Sequence, residues 1–203
     1  MAAPPRQATV RGTRCRRSQP LVQVTDGVSV RGVRGSGNSA TVAFDDLLEA
    51  NRRYALSAPR NFDGFAHAGV AVVTCMDSRL QPLEMLGLFL GEAKILRTPG
   101  GHVTPDALHG CILGVNLLQV DRILVITHSR CAMTADDDEA LRRRIELSSG
   151  RDASGLVLGA DPDQEGRLRA DVGLLAEHPL IAGLAEVGGF HYDVETCRIR
   201  RIC

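Results

Sequence analysis

The sequence predicts a single α/β domain with a short, mainly parallel central β-sheet flanked by helices, and three observations carry that expectation. Two apolar runs, Val70–Val73 and Ile123–Ile126, are short and rich in β-branched residues, the pattern of strands buried on both faces of a parallel sheet. Between and around them lie segments whose apolar residues recur at helical spacing. The chain has 203 residues, 44% hydrophobic and 24% charged, enough for one sizeable core.

Residues 1–40 hold seven arginines and one acid, Asp26, amid Pro, Gly, Ser and Thr, so they are expected to form a disordered arm. Arg16 and Arg17 lack the apolar stretch that a twin-arginine export signal needs after them, and a transit peptide is an alternative reading. Gly35–Ala40 imitates a dinucleotide fingerprint without a βαβ unit around it. The folded domain is expected over 41–203. It opens with a helix that carries Phe44, Leu47, Leu48 and Tyr54 on one face and Asp45, Asp46, Glu49, Arg52 and Arg53 on the other.

After the first strand, Pro82 suits the first turn of a short helix and Gly87 its end. Lys94–Arg97 reads as a second strand. Thr104, Pro105 and Asp106 supply a cap, a first-turn proline and a first-turn acid, and Leu108, Cys111, Ile112, Val115 and Leu118 form the apolar stripe that follows. Cys111 therefore belongs to the core. Asp136–Glu139 ahead of Arg142–Arg144 reads as acids at a helix start and bases towards its end. Ser148–Glu165 is expected to be a loop with some helix, Gln164–Ala176 a further helix, and Phe190–Val194 with Arg198–Ile202 a terminal hairpin about Glu195–Cys197.

A formal net charge of zero gives no general attraction to nucleic acid or membrane, and no segment reaches the ~18 apolar residues of a membrane span. Six cysteines, at 15, 75, 111, 131, 197 and 203, show no disulfide framework, and a cytoplasmic location is expected.

Each apolar run ends at a reactive cluster: Cys75, Asp77 and Arg79 after the first, His128 and Cys131 after the second. Two thiolates and an imidazole form an established catalytic zinc set that leaves a fourth position open. Neighbouring strand ends present both clusters on one sheet edge, where open α/β sheets hold ligands. The competing readings are two small buried cysteines with a core histidine, a Cys75–Cys131 disulfide, and a structural Asp77–Arg79 ion pair. A phosphatase-like nucleophile at Cys75 fails because its phosphate loop needs an arginine where Gln81 stands.

Cys75-x-Asp77-x-Arg79 followed by His128-x-x-Cys131 resembles the β-class carbonic anhydrases. Leu80–Leu88, Gly91–Gly101 and Gly189–Thr196 resemble the family's connecting helix, second strand with its glycine turn, and last strand. The likeness runs from about Thr41 to Ile202 and is loose between about Met133 and Leu184. It implies one Zn²⁺ per chain on Cys75, His128 and Cys131, at least a homodimer, and reversible hydration of carbon dioxide to bicarbonate and a proton by zinc-bound hydroxide. It also implies an Asp77–Arg79 catalytic dyad, with Asp77 becoming a fourth metal ligand in a closed form. Two alternatives stand beside this: a non-catalytic zinc protein of the same fold, permanently closed by Asp77, and an enzyme for a related heterocumulene such as carbon disulfide or carbonyl sulfide.

The chain departs from the family pattern at Arg130, where Asp or a small polar residue is usual, at Ala132 and Cys197, where glycine is usual, and at Thr98–Pro99, which replaces Asn-Ala. Gly100–Gly101 is read as a tight turn presenting amides near the site. His102 is expected to be a solvent-facing loop histidine, with a proton shuttle as the alternative.

Overall fold

The computed structural model describes residues 43–60 and 63–203, so the expectations for the arginine-rich arm, including Arg16–Arg17 and Gly35–Ala40, lie outside the described residues. The chain divides into two compact units, 1–61 and 62–203. In the first, helix α1 (Asp45–Ser57) forms where the amphipathic pattern places it, and its Phe44, Leu47, Leu48 and Tyr54 are all more than half exposed. No helix among the described residues is long and apolar enough to cross a membrane.

The second unit is built on five strands: β1 (Val70–Cys75), β2 (Ala93–Thr98), β3 (Arg122–His128), β4 (Glu186–Asp193) and β5 (Arg198–Arg201), in the order β2-β1-β3-β4-β5. The first four run parallel, and β5 returns antiparallel to β4 as the expected hairpin. All six residues of β1 are buried, because helices cover both faces of the central strands. Side chains alternate between those faces. Ala71, Val73, Ile123 and Val125 pack with Cys111, Leu168, Leu175 and Ile181 on one side, whereas Val70, Val72 and Ile126 pack with Cys75, Leu80, Cys131 and Tyr192 on the other. Cys111 is a core residue, as its place in the helical stripe predicts, and burial pushes its thiol up to about 12.

The helices follow their local signals. In α2 (Pro82–Leu86) proline opens the first turn and Gly87 closes it at φ 68°. Helix α3 (Pro105–Leu117) is capped by Thr104, whose hydroxyl accepts the Ala107 N–H at 3.3 Å. A short α4 (Ala132–Ala135) follows the second cluster, and α6 (Gln164–Ala176) has the predicted bounds.

Helix α5 (Asp138–Ser149) differs in detail. Asp137 caps it, but it runs on to Ser149, so Arg142–Arg144 fall mid-helix rather than at its end. There they pair back to acids, Arg142 to Asp138 at 3.9 Å and Arg144 to Asp136 at 3.1 Å, with Arg143 on Glu139. Within Ser148–Glu165, expected as a loop with some helix, helix occurs only at the two ends, where α5 finishes at Ser149 and α6 begins at Gln164, and 150 to 163 is loop. Its backbone is tied down by carboxylates instead: Asp138 accepts the N–H groups of Leu158 and Ala160, and Glu146 accepts that of Ala153.

Candidate metal centre

The sheet order makes the site. Strands β1 and β3 are parallel neighbours with Thr74 opposite Ile126, so their C-terminal ends carry Cys75 and His128 to the same edge. Cys131 reaches that edge from the turn after β3, where Arg130 takes φ 56° and α4 begins. Cys75 Sγ and Cys131 Sγ stand 3.9 Å apart as free thiols, so no disulfide joins them. One ligand atom each from Cys75, His128 and Cys131 lies within 4.8 Å of the others, and all three residues are buried.

This donor set fits zinc, and His128 is the test. Its Nδ1 lies 2.9 Å from the Ser129 carbonyl, which can only accept, so Nδ1 carries the proton and Nε2 presents a lone pair. That Nε2 is buried and has no hydrogen-bond partner. An orphaned imidazole nitrogen facing two thiols is costly unless a cation completes it. The thiol pair is already biased: the contact between the sulfurs pulls Cys75 below the ordinary thiol range and pushes Cys131 up, as one proton is shared between two sites.

Asp77 lies just outside this group. Its Oδ2 is 4.0 Å from His128 Nε2, but the carboxylate is turned to Arg79, which donates from Nε to Oδ1 at 2.9 Å and from Nη2 to Oδ2 at 2.7 Å. The Arg79 fork, with added help from the Arg79 main-chain N–H, holds the Asp77 carboxyl down at about 2. Of the four residues expected on the metal, three are therefore grouped and Asp77 is held aside by its dyad partner.

Several supporting residues escaped the sequence reading. Arg97, at the end of β2, donates to the carbonyls of Cys75 and Asp77 and so fixes the segment between them. Gln164, the first residue of α6, donates to the His128 carbonyl at 3.0 Å. An arginine at the end of a strand beside a ligand-bearing strand was the available signal for the first. Nothing local marks Gln164, because its partner lies 36 positions away.

The departures also find places. Arg130 directs its side chain to Glu195 at 2.7 Å, at the surface, while its carbonyl accepts from Arg79. Cys197 sits at φ 57°, which explains why glycine suits that turn. Gly101, at φ 76°, abuts the Cys75 main chain. His102 overturns its expectation: it is 4% exposed rather than solvent-facing, because its ring turns inward towards Asp171 of α6.

A cysteine–histidine–cysteine group at the carboxyl edge of a parallel sheet, flanked by an aspartate–arginine pair, defines a class of zinc enzymes, and the comparisons agree with it. The family described as carbonic anhydrase matches residues 70–148. The crystal structure of carbonic anhydrase from Streptococcus mutans has a TM-score of 0.73 and 32% identity, over 81% of this chain and all of that one. Beta-carbonic anhydrase 1 of Mycobacterium tuberculosis is 28% identical over 160 residues, 78% of this chain and 96% of that protein. Carbon disulfide hydrolase of Saccharolobus solfataricus is 31% identical over 155 residues, 64% of this chain and 75% of that protein. The chain belongs to the β-carbonic anhydrase family. Zinc is the cofactor of that family, and Cys75, His128 and Cys131 form the group that can hold it.

Proposed function

We propose that this protein catalyses the reversible hydration of carbon dioxide to bicarbonate and a proton, with Cys75, His128 and Cys131 as zinc ligands and Asp77 and Arg79 as the catalytic dyad. The observation that carries this reading is the Arg79 fork on Asp77, which leaves an ionised carboxylate beside the thiol–imidazole group without placing it among the ligands. Bound zinc supplies an acidified water, lowering its pKa from about 16 to about 7.

The chain's own groups do the rest. Asp77, ionised at neutral pH, accepts a hydrogen bond from the attacking water and so aims its lone pair at the carbon. Arg79 keeps Asp77 both charged and turned away from the ligand group. The Ser129 carbonyl accepts from His128 Nδ1, which selects the tautomer whose Nε2 faces the thiols as a ligand atom.

Stopped-flow hydration of carbon dioxide, measured together with zinc content, tests the proposal. Fast hydration with one zinc per chain is expected, and a zinc-loaded protein inert towards carbon dioxide would overturn it.

A second reading, hydrolysis of carbon disulfide, draws on the relatives bearing that name and on one feature of the surface. A groove of about 620 Å³ is lined by Met76, Pro99, Met133, Leu141, Ile145 and Leu158, and Met76 directly follows Cys75 in the chain. Its lining is mostly apolar, which suits an uncharged sulfur-bearing substrate. Release of hydrogen sulfide from carbon disulfide distinguishes the two activities.

We also propose a homo-oligomer located in the cytoplasm. Phe89, Leu90, Leu113 and Leu117 leave large apolar side chains at least half exposed, and thiolate ligands suit a reducing compartment. Sedimentation velocity checks the assembly.

A further inference from the structure

His102 and Asp171 are buried ionisable side chains, each 4% exposed, that the proposed chemistry does not use. His102 Nδ1 lies 3.4 Å from Asp171 Oδ2, within ion-pair reach, yet neither ring nitrogen makes a hydrogen bond. The other Asp171 oxygen faces Arg167 Nε at 3.3 Å. Polar groups withdrawn from water in this way add little net stability, and apolar replacements of similar volume are often neutral or better. Stability alone does not account for the pair.

Its connections lead to the metal centre. The His102 carbonyl accepts the Thr98 hydroxyl at 2.7 Å, and the Thr98 carbonyl accepts the N–H of Met76 at 3.0 Å. Met76 stands between Cys75 and Asp77. The His102 ring fills the inside of the Pro99–Gly101 turn so closely that a Cβ on Gly100 would stand 2.6 Å from Nε2. The next residue, Gly101, abuts the Cys75 N–H and the Ile126 carbonyl. Asp171 belongs to α6, the helix whose Gln164 amide holds the His128 carbonyl. Helix α6 thus reaches both halves of the ligand group, His128 directly and Cys75–Asp77 through His102, Thr98 and Met76.

We propose that His102 and Asp171 are a positioning pair, which ties the glycine turn to α6 and so sets the Cys75–Asp77 segment against His128. The pair touches neither metal nor substrate. This inference rests on the reading that Cys75, His128 and Cys131 hold zinc. It assigns the effect to the face of the imidazole at Nδ1, and two substitutions separate that face from the other. Asparagine places its amide near the Nδ1 position and glutamine near the Nε2 position. His102→Asn keeps a polar contact with Asp171, and His102→Gln loses it.

The experiment measures zinc release to a chromophoric chelator, the visible spectrum of the cobalt-substituted protein, kcat and KM, and thermal unfolding as a control for folding. In His102→Gln, zinc release is expected to accelerate about tenfold, with altered cobalt band positions or intensities and a fall in kcat at unchanged KM. His102→Asn is expected to remain within about twofold of wild type by each readout. Asp171→Leu removes the contact from the other side and should reproduce His102→Gln; it serves as the test should His102→Gln fail to fold. Wild-type spectra and release in His102→Gln and Asp171→Leu would overturn the pairing role. Equal impairment of His102→Asn and His102→Gln would do the same. A wild-type protein that takes up neither zinc nor cobalt would instead overturn the metal reading, and the pairing role with it.

Discussion

Arg79 holds Asp77 from three donors at once: Nε and the main-chain N–H on Oδ1, both at 2.9 Å, and Nη2 on Oδ2 at 2.7 Å. Nη2 also donates to the Arg130 carbonyl at 3.0 Å, so the guanidinium bridges the two segments that carry the cysteines. A planar fork with several fixed donors provides this geometry, and a flexible ammonium does not. The carboxylate is therefore fixed in direction as well as in charge, 4.0 Å from the free nitrogen of His128.

Removing that fork should close the site rather than empty it. In Arg79→Ala, Asp77 is free to turn towards the ligand group, so zinc content should stay near wild type while carbon dioxide hydration falls by about 10² or more. Arg79→Lys should recover only a small part of the rate. Zinc assay and stopped-flow kinetics on the same preparations decide it. Normal turnover in Arg79→Ala would remove the dyad from the mechanism.

Cysteines 111 and 131 are both buried, yet they should respond differently to serine. Cys131→Ser takes a thiolate from the ligand group, and zinc should be lost on dialysis. Cys111 lies in the core between α3 and the sheet, far from any ligand partner, so Cys111→Ser should keep its zinc and lose about 1–3 kcal/mol of unfolding free energy for a hydroxyl buried without a partner. Zinc content paired with urea unfolding separates the two. A zinc-replete, active Cys131→Ser would refute the ligand assignment.

Much of this was legible in the sequence because it rests on short-range signals. The runs Val70–Val73 and Ile123–Ile126 identify their own strands, and Thr104–Pro105–Asp106 marks its own helix start. The ligand group could be assembled from Cys75, His128 and Cys131 because adjacent parallel strands end at one edge. What escaped depends on distant pairings. Gln164 acts on a residue 36 positions away, and the inward turn of His102 depends on Asp171, which lies on α6, 69 positions further along the chain. Loop residues next to glycine are ordinarily exposed, and only the packing of α6 over the turn reverses that for His102.

Two glycines with similar backbone angles should differ in their need for hydrogen at Cα. Gly87 has φ 68° and open space around its missing Cβ, so Gly87→Ala should cost roughly 1–2 kcal/mol, the strain of the left-handed region alone. Gly101 has φ 76°, and a Cβ there would stand 3.0 Å from the Ile126 carbonyl oxygen and 3.1 Å from the Cys75 nitrogen. Both contacts are backbone, which cannot swing aside. Gly101→Ala should therefore cost about 3 kcal/mol or more and lower zinc retention as well. Equal unfolding free energies and full zinc in both variants would show that the turn does not support the Cys75 strand end.

Asp138 gives the stretch from 150 to 163 an acid-sensitive anchor. Its carboxylate accepts the N–H groups of Ala160 at 2.6 Å and Leu158 at 2.9 Å, and these bonds, in that order, hold its carboxyl below the usual carboxylate range. A folded-state pKa below the unfolded value of about 3.9 makes the sign definite: the anchor's contribution is fully present above about pH 4 and is lost as pH falls through the folded pKa. Asp138→Asn lacks the charge at every pH. Its melting temperature should lie below that of wild type at pH 6 to 7, and the two curves should converge as pH falls from about 4 towards 2. Thermal unfolding followed across that range is the measurement, and parallel curves would show that other carboxylates carry the acid sensitivity.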